Sequence, residues 1–289
     1  MTNTVSREIN IIDEKLNKYV SSPASILHSV ETQLFQIFEE EMRSEKSVIL
    51  SYKNEAIRKL ARFMIGEIKR SASIGIAGET ASGKSTITVD IIDTIEMFAN
   101  IYSVGSVITR VNTDDYYYDR SEEVKKAGGI AEFAKNYDFD VPEALELDLM
   151  CKHINELQAG NSVMLPKYDM SGTTIRTDNH TLAKPSRIII SEGLFTLTEK
   201  IRGAFDFKIY VDIDREVQKD RWFTRALERG FGDNANDVYK NANEKAEIYI
   251  RPCREEADIV LSGEAQRSGY KLFLTKILLI IENLYFQNR

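Results

Sequence analysis

Residues 78 to 86 read Gly78-Glu79-Thr80-Ala81-Ser82-Gly83-Lys84-Ser85-Thr86, a complete G-x-x-x-x-G-K-[ST] pattern. Glycines at both ends of such a run let the backbone curl until successive N–H groups point inward, a cradle for phosphate oxygens. The Lys84 ammonium then reaches the β- and γ-phosphates, and the Ser85 hydroxyl ligates Mg²⁺. Residue types and spacing therefore name a nucleoside triphosphate, with magnesium, as the ligand. The flanks agree. Ile74-Gly75-Ile76-Ala77 before the loop reads as a buried parallel strand, and after it Ile87, Ile91, Ile95 and Phe98 fall on one helix face. Strand, loop and helix N-terminus in that order is the geometry a phosphate requires.

Further groups able to do chemistry lie just beyond other apolar runs. Asn112-Thr113-Asp114-Asp115-Tyr116-Tyr117 offers carboxylates, one of which can take a proton from an attacking hydroxyl. Ser191-Glu192-Gly193 supplies a second acid where a nucleotide-site metal commonly finds its carboxylate. Arg221, Arg225 and Arg229, spaced four apart, project from one face of a helix that ends near Gly230 and Gly232. Such a row suits a lid, placed at about 214–232, that closes on a transferring phosphate. Alternation around a Ser-Gly turn over about 160–180 predicts a β-hairpin, a wall for an acceptor pocket. His28 and His153 read as helix-surface residues. His180, Cys151 and Cys253 match no metal-ligand spacing, and the cysteines read as reduced thiols.

The elements that must position these groups follow from the apolar pattern. Strand runs at 73–77, 105–111, 187–191, 207–211 and 258–261 alternate with helical stretches at 86–99, 142–159, 214–229 and 236–249. This predicts an α/β fold with a parallel sheet covered by helices on both faces. Ligands in such sheets gather beyond the carboxyl ends of the strands, where the acids and the glycine loop already fall. Residues 1–70 differ: Ile9, Ile12, Leu16 and Tyr19, then Leu27, Val30, Leu34, Ile37 and Phe38, then Ile57, Leu60, Met64 and Ile68 form helical stripes with no glycine before Gly66. They predict a helical N-terminal extension, buried either on the 71–289 domain or in a homo-oligomer or partner surface. With 43% hydrophobic and 29% charged residues, the 289-residue chain has ample material for a core. A net charge of -7 speaks against a general nucleic-acid binder. No signal-peptide pattern and no bilayer-spanning run appear, so no membrane partner and a cytoplasmic location are expected. Glu282 to Gln287 spells the recognition sequence of a tag-removing protease and contributes nothing to the functional reading.

Residues 72 to about 262 resemble the uridine kinase and phosphoribulokinase-type family of P-loop kinases. The resemblance rests on the phosphate loop, Asp114-Asp115-Tyr116-Tyr117, Asn136-Tyr137-Asp138 with Pro142-Glu143-Ala144, Leu165-Pro166-Lys167-Tyr168-Asp169 and Ser191-Glu192-Gly193-Leu194, in that order. Glu228-Arg229-Gly230 and Ala257-Asp258-Ile259-Val260 add support. It implies a three-layer P-loop fold and ATP-dependent transfer of the γ-phosphoryl group to a small-molecule hydroxyl, most simply the 5′-hydroxyl of uridine or cytidine. By the same resemblance Asp114 is the expected general base, Lys84 and the arginine helix are the phosphate-contacting catalytic groups, and Ser85, Glu192 and Asp114 serve Mg²⁺. Asp138 is expected to bind the sugar diol, with Tyr117, Tyr168 and Arg176 lining the acceptor site. The departures fall at that site. Where these kinases carry Asn-[Phe/Tyr]-Asp-His-Pro, this chain has Asp138-Phe139-Asp140-Val141-Pro142, and Ser171 to Arg176 lacks the hairpin histidine. A same-fold kinase for a pantothenate-like or sugar-phosphate alcohol, and a nucleotide-sensing interaction module, are the competing expectations.

Overall fold

The computed structural model describes residues 23–169, 176–228 and 232–286. Helix α1 (Pro23–Met42), strand β1 (Ile49–Tyr52) and helix α2 (Asn54–Met64) come first. They lead into β2 (Ala72–Gly78), α3 (Lys84–Ile101) and β3 (Ile108–Asn112). Helix α4 (Leu147–Gln158) precedes the hairpin β4 (Val163–Tyr168) and β5 (Arg176–Ala183). After β6 (Ile188–Glu192) and β7 (Phe207–Asp212) come α5 (Arg215–Glu228), α6 (Ala235–Lys245), β8 (Ile259–Ser262) and α7 (Arg267–Tyr285).

Six strands pair in the order β1-β8-β7-β2-β6-β3. All neighbours run parallel except β1, which lies antiparallel on β8. The predicted strands all form, and the parallel ones read as continuous apolar runs because both faces are covered. On one face Ile76, Ile190, Ile209 and Val211 pack with α1, α2, α3 and α7; on the other Ala77, Val111, Ile189 and Tyr210 pack with α4. Full burial of one such aliphatic side chain contributes about 1.5–3 kcal/mol.

The N-terminal region differs from the all-helical reading. Ile49–Tyr52 extends the sheet through Ile49↔Leu261 and Tyr52↔Ile259. A four-residue strand at a sheet edge carries too little alternation to be seen in sequence. Val30, Leu34 and Phe38 of α1 are buried in the same cluster as the sheet residues Ile76 and Val211. From residue 23 onward the extension therefore packs on the α/β core, one of the two expected burials. The stripe Ile9, Ile12, Leu16, Tyr19 lies outside the described residues. Among the described residues no helix is long and apolar enough to cross a membrane.

Candidate active site

Register brings the chemistry to one edge. Glu192 at the end of β6 is opposite both Ile76 of β2 and Asn112 of β3, while Gly78 is opposite Val211 of β7. The phosphate loop, the Thr113–Tyr116 turn and Glu192 therefore emerge side by side. Gly193 makes the close approach possible: a Cβ there would stand 2.5 Å from the Thr113 Cβ. Thr113 in turn shares hydrogen bonds with Ser191 at 3.4 Å and Thr196 at 2.9 Å, which pins the turn that carries Asp114.

The loop itself has the conformation a phosphate cradle needs. Gly83 sits at φ 94° immediately before α3, a left-handed conformation that glycine adopts without a Cβ clash. Gly78 lets Ser82 fold over it, since a Cβ there would be 2.8 Å from the Ser82 hydroxyl. That hydroxyl is buried with no hydrogen-bond partner, an orphan that an incoming polar ligand can satisfy. Lys84 is half-buried and, among the described residues, donates only a long 3.4 Å bond to the Glu79 carbonyl. Burial pushes its pKa down, opposed by the Glu192 and Asp114 charges, and Arg225 pushes it further down. An ammonium held in this way gains most from an anion brought to it. The Ser85 hydroxyl donates to Glu192 at 3.1 Å, so the two proposed metal-serving groups are already adjacent. Arg110 reaches the other Glu192 oxygen at 3.2 Å, a contact no spacing announced.

Asp114 and Asp115 separate cleanly. Asp115 accepts from the Tyr168 amide at 3.1 Å and pairs with Lys167 at 3.1 Å, tying the hairpin to the turn. Asp114 carries no such bond. Burial raises its pKa, the Lys84 charge pulls it back, and Glu192 and Asp115 raise it further. A half-buried carboxylate within reach of the Lys84 charge has the electrostatics of a general base.

Of the three arginines predicted to form a lid, Arg221 donates to the Gly263 carbonyl at 2.9 Å and lies beside Gly83. Arg225 is near enough to Lys84 to shift its pKa. Arg229 falls outside the described residues. The same side of α5 braces the loop, with Gln218 donating to the Thr80 carbonyl at 2.9 Å and Trp222 packing with Ala81. Thr86 belongs to the first turn of α3 and is exposed.

On the acceptor side, Tyr117, Tyr168, Phe139, Tyr137 and Phe133 form a ring cluster beside the base turn, with centroids 4.8–6.4 Å apart along the chain of contacts. Asp138 is already engaged, 2.8 Å from the Lys245 ammonium and 2.9 Å from the Asp140 amide. Asp140 makes no side-chain hydrogen bond among the described residues, and burial with the Asp138 charge pushes its pKa up to about 6. Arg176 is bonded to Glu146 and donates to the Tyr116 carbonyl at 3.0 Å, so it supports the base turn from below. His153 is not a plain surface residue: its Nδ1 is 2.9 Å from the Tyr116 hydroxyl.

With this geometry in hand, the family model for the phosphoribulokinase/uridine kinase family matches residues 73–267. The chain belongs to that family. Similar curated proteins include a uridine kinase of Staphylococcus aureus, 32% identical over 215 residues, 73% of this chain and 97% of that protein. A uridine kinase of Halobacterium salinarum is 30% identical over 211 residues, 72% of this chain and 87% of its own. Among solved structures, the phosphoribulokinase from Rhodobacter spheroides superposes with a TM-score of 0.50 at 16% identity, covering 67% of this chain and 70% of the other, a likeness of fold. The family and the kinase relatives make this protein a small-molecule kinase.

Proposed function

We propose that the enzyme transfers the γ-phosphoryl group of MgATP to the 5′-hydroxyl of a pyrimidine nucleoside, uridine or cytidine. The observation that carries this reading is the pair of carboxylates flanking the aromatic cluster. Asp114 is near enough to Lys84, Glu192 and Tyr117 to interact with their charges, and Asp140, whose charge also reaches Tyr117, makes no side-chain hydrogen bond among the described residues. Counted back from Pro142, Asp140 is also where Asn-[Phe/Tyr]-Asp-His-Pro has its Asp, with Val141 in place of the histidine. The diol role first given to Asp138 therefore passes to Asp140, and Asp138 becomes an anchor for the loop. Flat rings of Tyr137, Phe139 and Tyr117 suit stacking on a planar base.

Phosphoryl transfer needs little covalent help, so positioning and charge neutralisation supply most of the rate. Lys84 and the main-chain amides of 78–86 hold the triphosphate, Arg221 and Arg225 lie on the lid side, and Arg229 is the third lid arginine. Mg²⁺, which offsets charge on the β- and γ-oxygens when bound, is usually held by one or two protein oxygens plus substrate phosphates. Adjacent Ser85 and Glu192 fit that donor set, and Asp114 borders it. Asp114 accepts the hydroxyl proton as the oxygen attacks.

ADP release measured over a panel of alcohols tests the reading. Uridine or cytidine should give the highest kcat/KM. Turnover with pantothenate-like or sugar-phosphate acceptors and none with nucleosides would reassign the acceptor, and ATP binding without any acceptor would favour a sensing role.

A further inference from the structure

Helix α6 and the turn after it touch both halves of the site. On the acceptor side Lys245 holds Asp138 at 2.8 Å, and Asn241 donates to the same carboxylate at 3.4 Å. Two turns on, Arg251 grips the phosphate loop, donating from Nε and Nη2 to the Glu79 carboxylate oxygens at 2.9 and 2.8 Å. Both side chains of that pair are largely buried, 14% and 8% exposed. Between the two anchors runs a π-helical turn, Ala246–Ile250, and the Arg251 N–H donates to the Ala246 carbonyl, five residues back, at 2.8 Å.

The π turn re-aims the arginine. In an unbroken α-helix, residues eight apart are rotated by about 80° around the axis. One extra residue in the turn brings them into line, and Asn243 accepts from Arg251 at 2.6 Å. Such turns are rare and occur frequently at functional sites. A buried carboxylate inside a phosphate loop also needs a reason to stay compatible with a polyanion. Unpaired, it would repel the triphosphate and carry its own desolvation cost; paired, it is neutral to the ligand.

We propose that Arg251 and Lys245 are positioning residues, through which the segment 235–251 sets the phosphate loop and the acceptor loop in fixed relation, with Arg251 neutralising Glu79. The proposal rests on the nucleotide-binding reading of the loop. It deepens that reading by assigning two residues, far from the phosphate motif in sequence, to separate substrate sites.

Calorimetric titration of the full chain with MgATP, without acceptor, reads the first half. Arg251→Met should raise the Kd roughly 10- to 100-fold, the range seen when a partner behind a ligand-contacting group is lost. Adding Glu79→Gln to that variant should restore most of the affinity, because no buried stranded charge remains; Glu247, which Arg251 also pairs with, is half-exposed and keeps Arg215 at 3.1 Å. Lys245→Met should raise the acceptor KM while leaving the MgATP Kd unchanged. Should Arg251→Met not fold, Arg251→Lys keeps the charge but loses the two-pronged contact, and a smaller rise in Kd is expected. A parent-like Kd in the folded Arg251 variant, or a double variant no better than the single one, overturns the assignment and leaves the pair as fold support only. Equal loss at both substrate sites from either change also overturns it. A silent acceptor panel would remove the nucleoside reading and leave this result standing, whereas a parent chain that does not bind ATP would remove both.

Discussion

The two halves of the site are made from different materials. On the proposed reading the phosphate side uses main-chain amides from one contiguous run, 78–86, with Lys84 and Ser85 inside the run itself. The proposed acceptor side draws on side chains from separate segments: Asp114 and Tyr117 after β3, Tyr137 to Asp140 in a loop, and Tyr168 at the end of β4. A backbone cradle tolerates few sequences, because its shape demands glycine at set positions. A side-chain pocket can move a carboxylate along a loop and still present it, the role proposed for Asp140 beside the engaged Asp138.

That contrast can be broken by substitution. Asp114→Asn should leave MgATP affinity near the parent value while turnover, measured as ADP release, falls by about 10² to 10⁴. Near-normal turnover would pass the base role to another group. Lys84→Ala should abolish the thermal stabilisation by ATP, which for a parent at 100 times its Kd is about 2.7 kcal/mol. Retained stabilisation would mean that the amides alone hold the ligand. Asp140→Asn should raise the acceptor KM roughly 10- to 100-fold, since hydrogen bonds to a charged group contribute about 1.5–3 kcal/mol. Asp138→Asn should have a smaller effect, and the reverse ranking would return the diol contact to Asp138.

The mildest test is pH. In the proposed role Asp140 would bind substrate as the carboxylate, so kcat/KM for the acceptor should climb as pH rises through about 6, where this group titrates. Asp140→Asn should flatten that limb, leaving the separate contribution of Asp114. The sign for stability is opposite. The folded state holds the Asp140 proton more tightly than the unfolded chain, so its contribution is lost as pH rises from the ordinary carboxylate range through about 6. Thermal melts of the ligand-free parent and the Asn variant between these limits should converge at the acid end.

Legibility followed the range of the interactions. The apolar runs announced all five parallel strands, because a strand buried on both faces has no choice but to be apolar. Strand β1 escaped notice because four edge residues leave no pattern, yet its pairing with β8 and the burial of Phe38 join residues 23–64 to the core. Arg251 escaped for another reason: its partner Glu79 is 172 residues away, and a π turn displaces it from the face that helical spacing would assign. Arg110 beside Glu192 was equally silent, being one charge on a strand with nothing in its neighbours to mark it.

By itself the sequence determined the nucleotide half of this protein. Nine residues carry their own geometry, and the hydrogen bonds that hold a phosphate come from amides every chain possesses. Only the tertiary structure decided which acids remain available. Asp115 and Asp138 are consumed by Lys167, Lys245 and backbone amides, while Asp114 and Asp140 make no side-chain hydrogen bond among the described residues. A carboxylate's role depends on what already neutralises it, and those partners are brought together by folding, not by spacing along the chain.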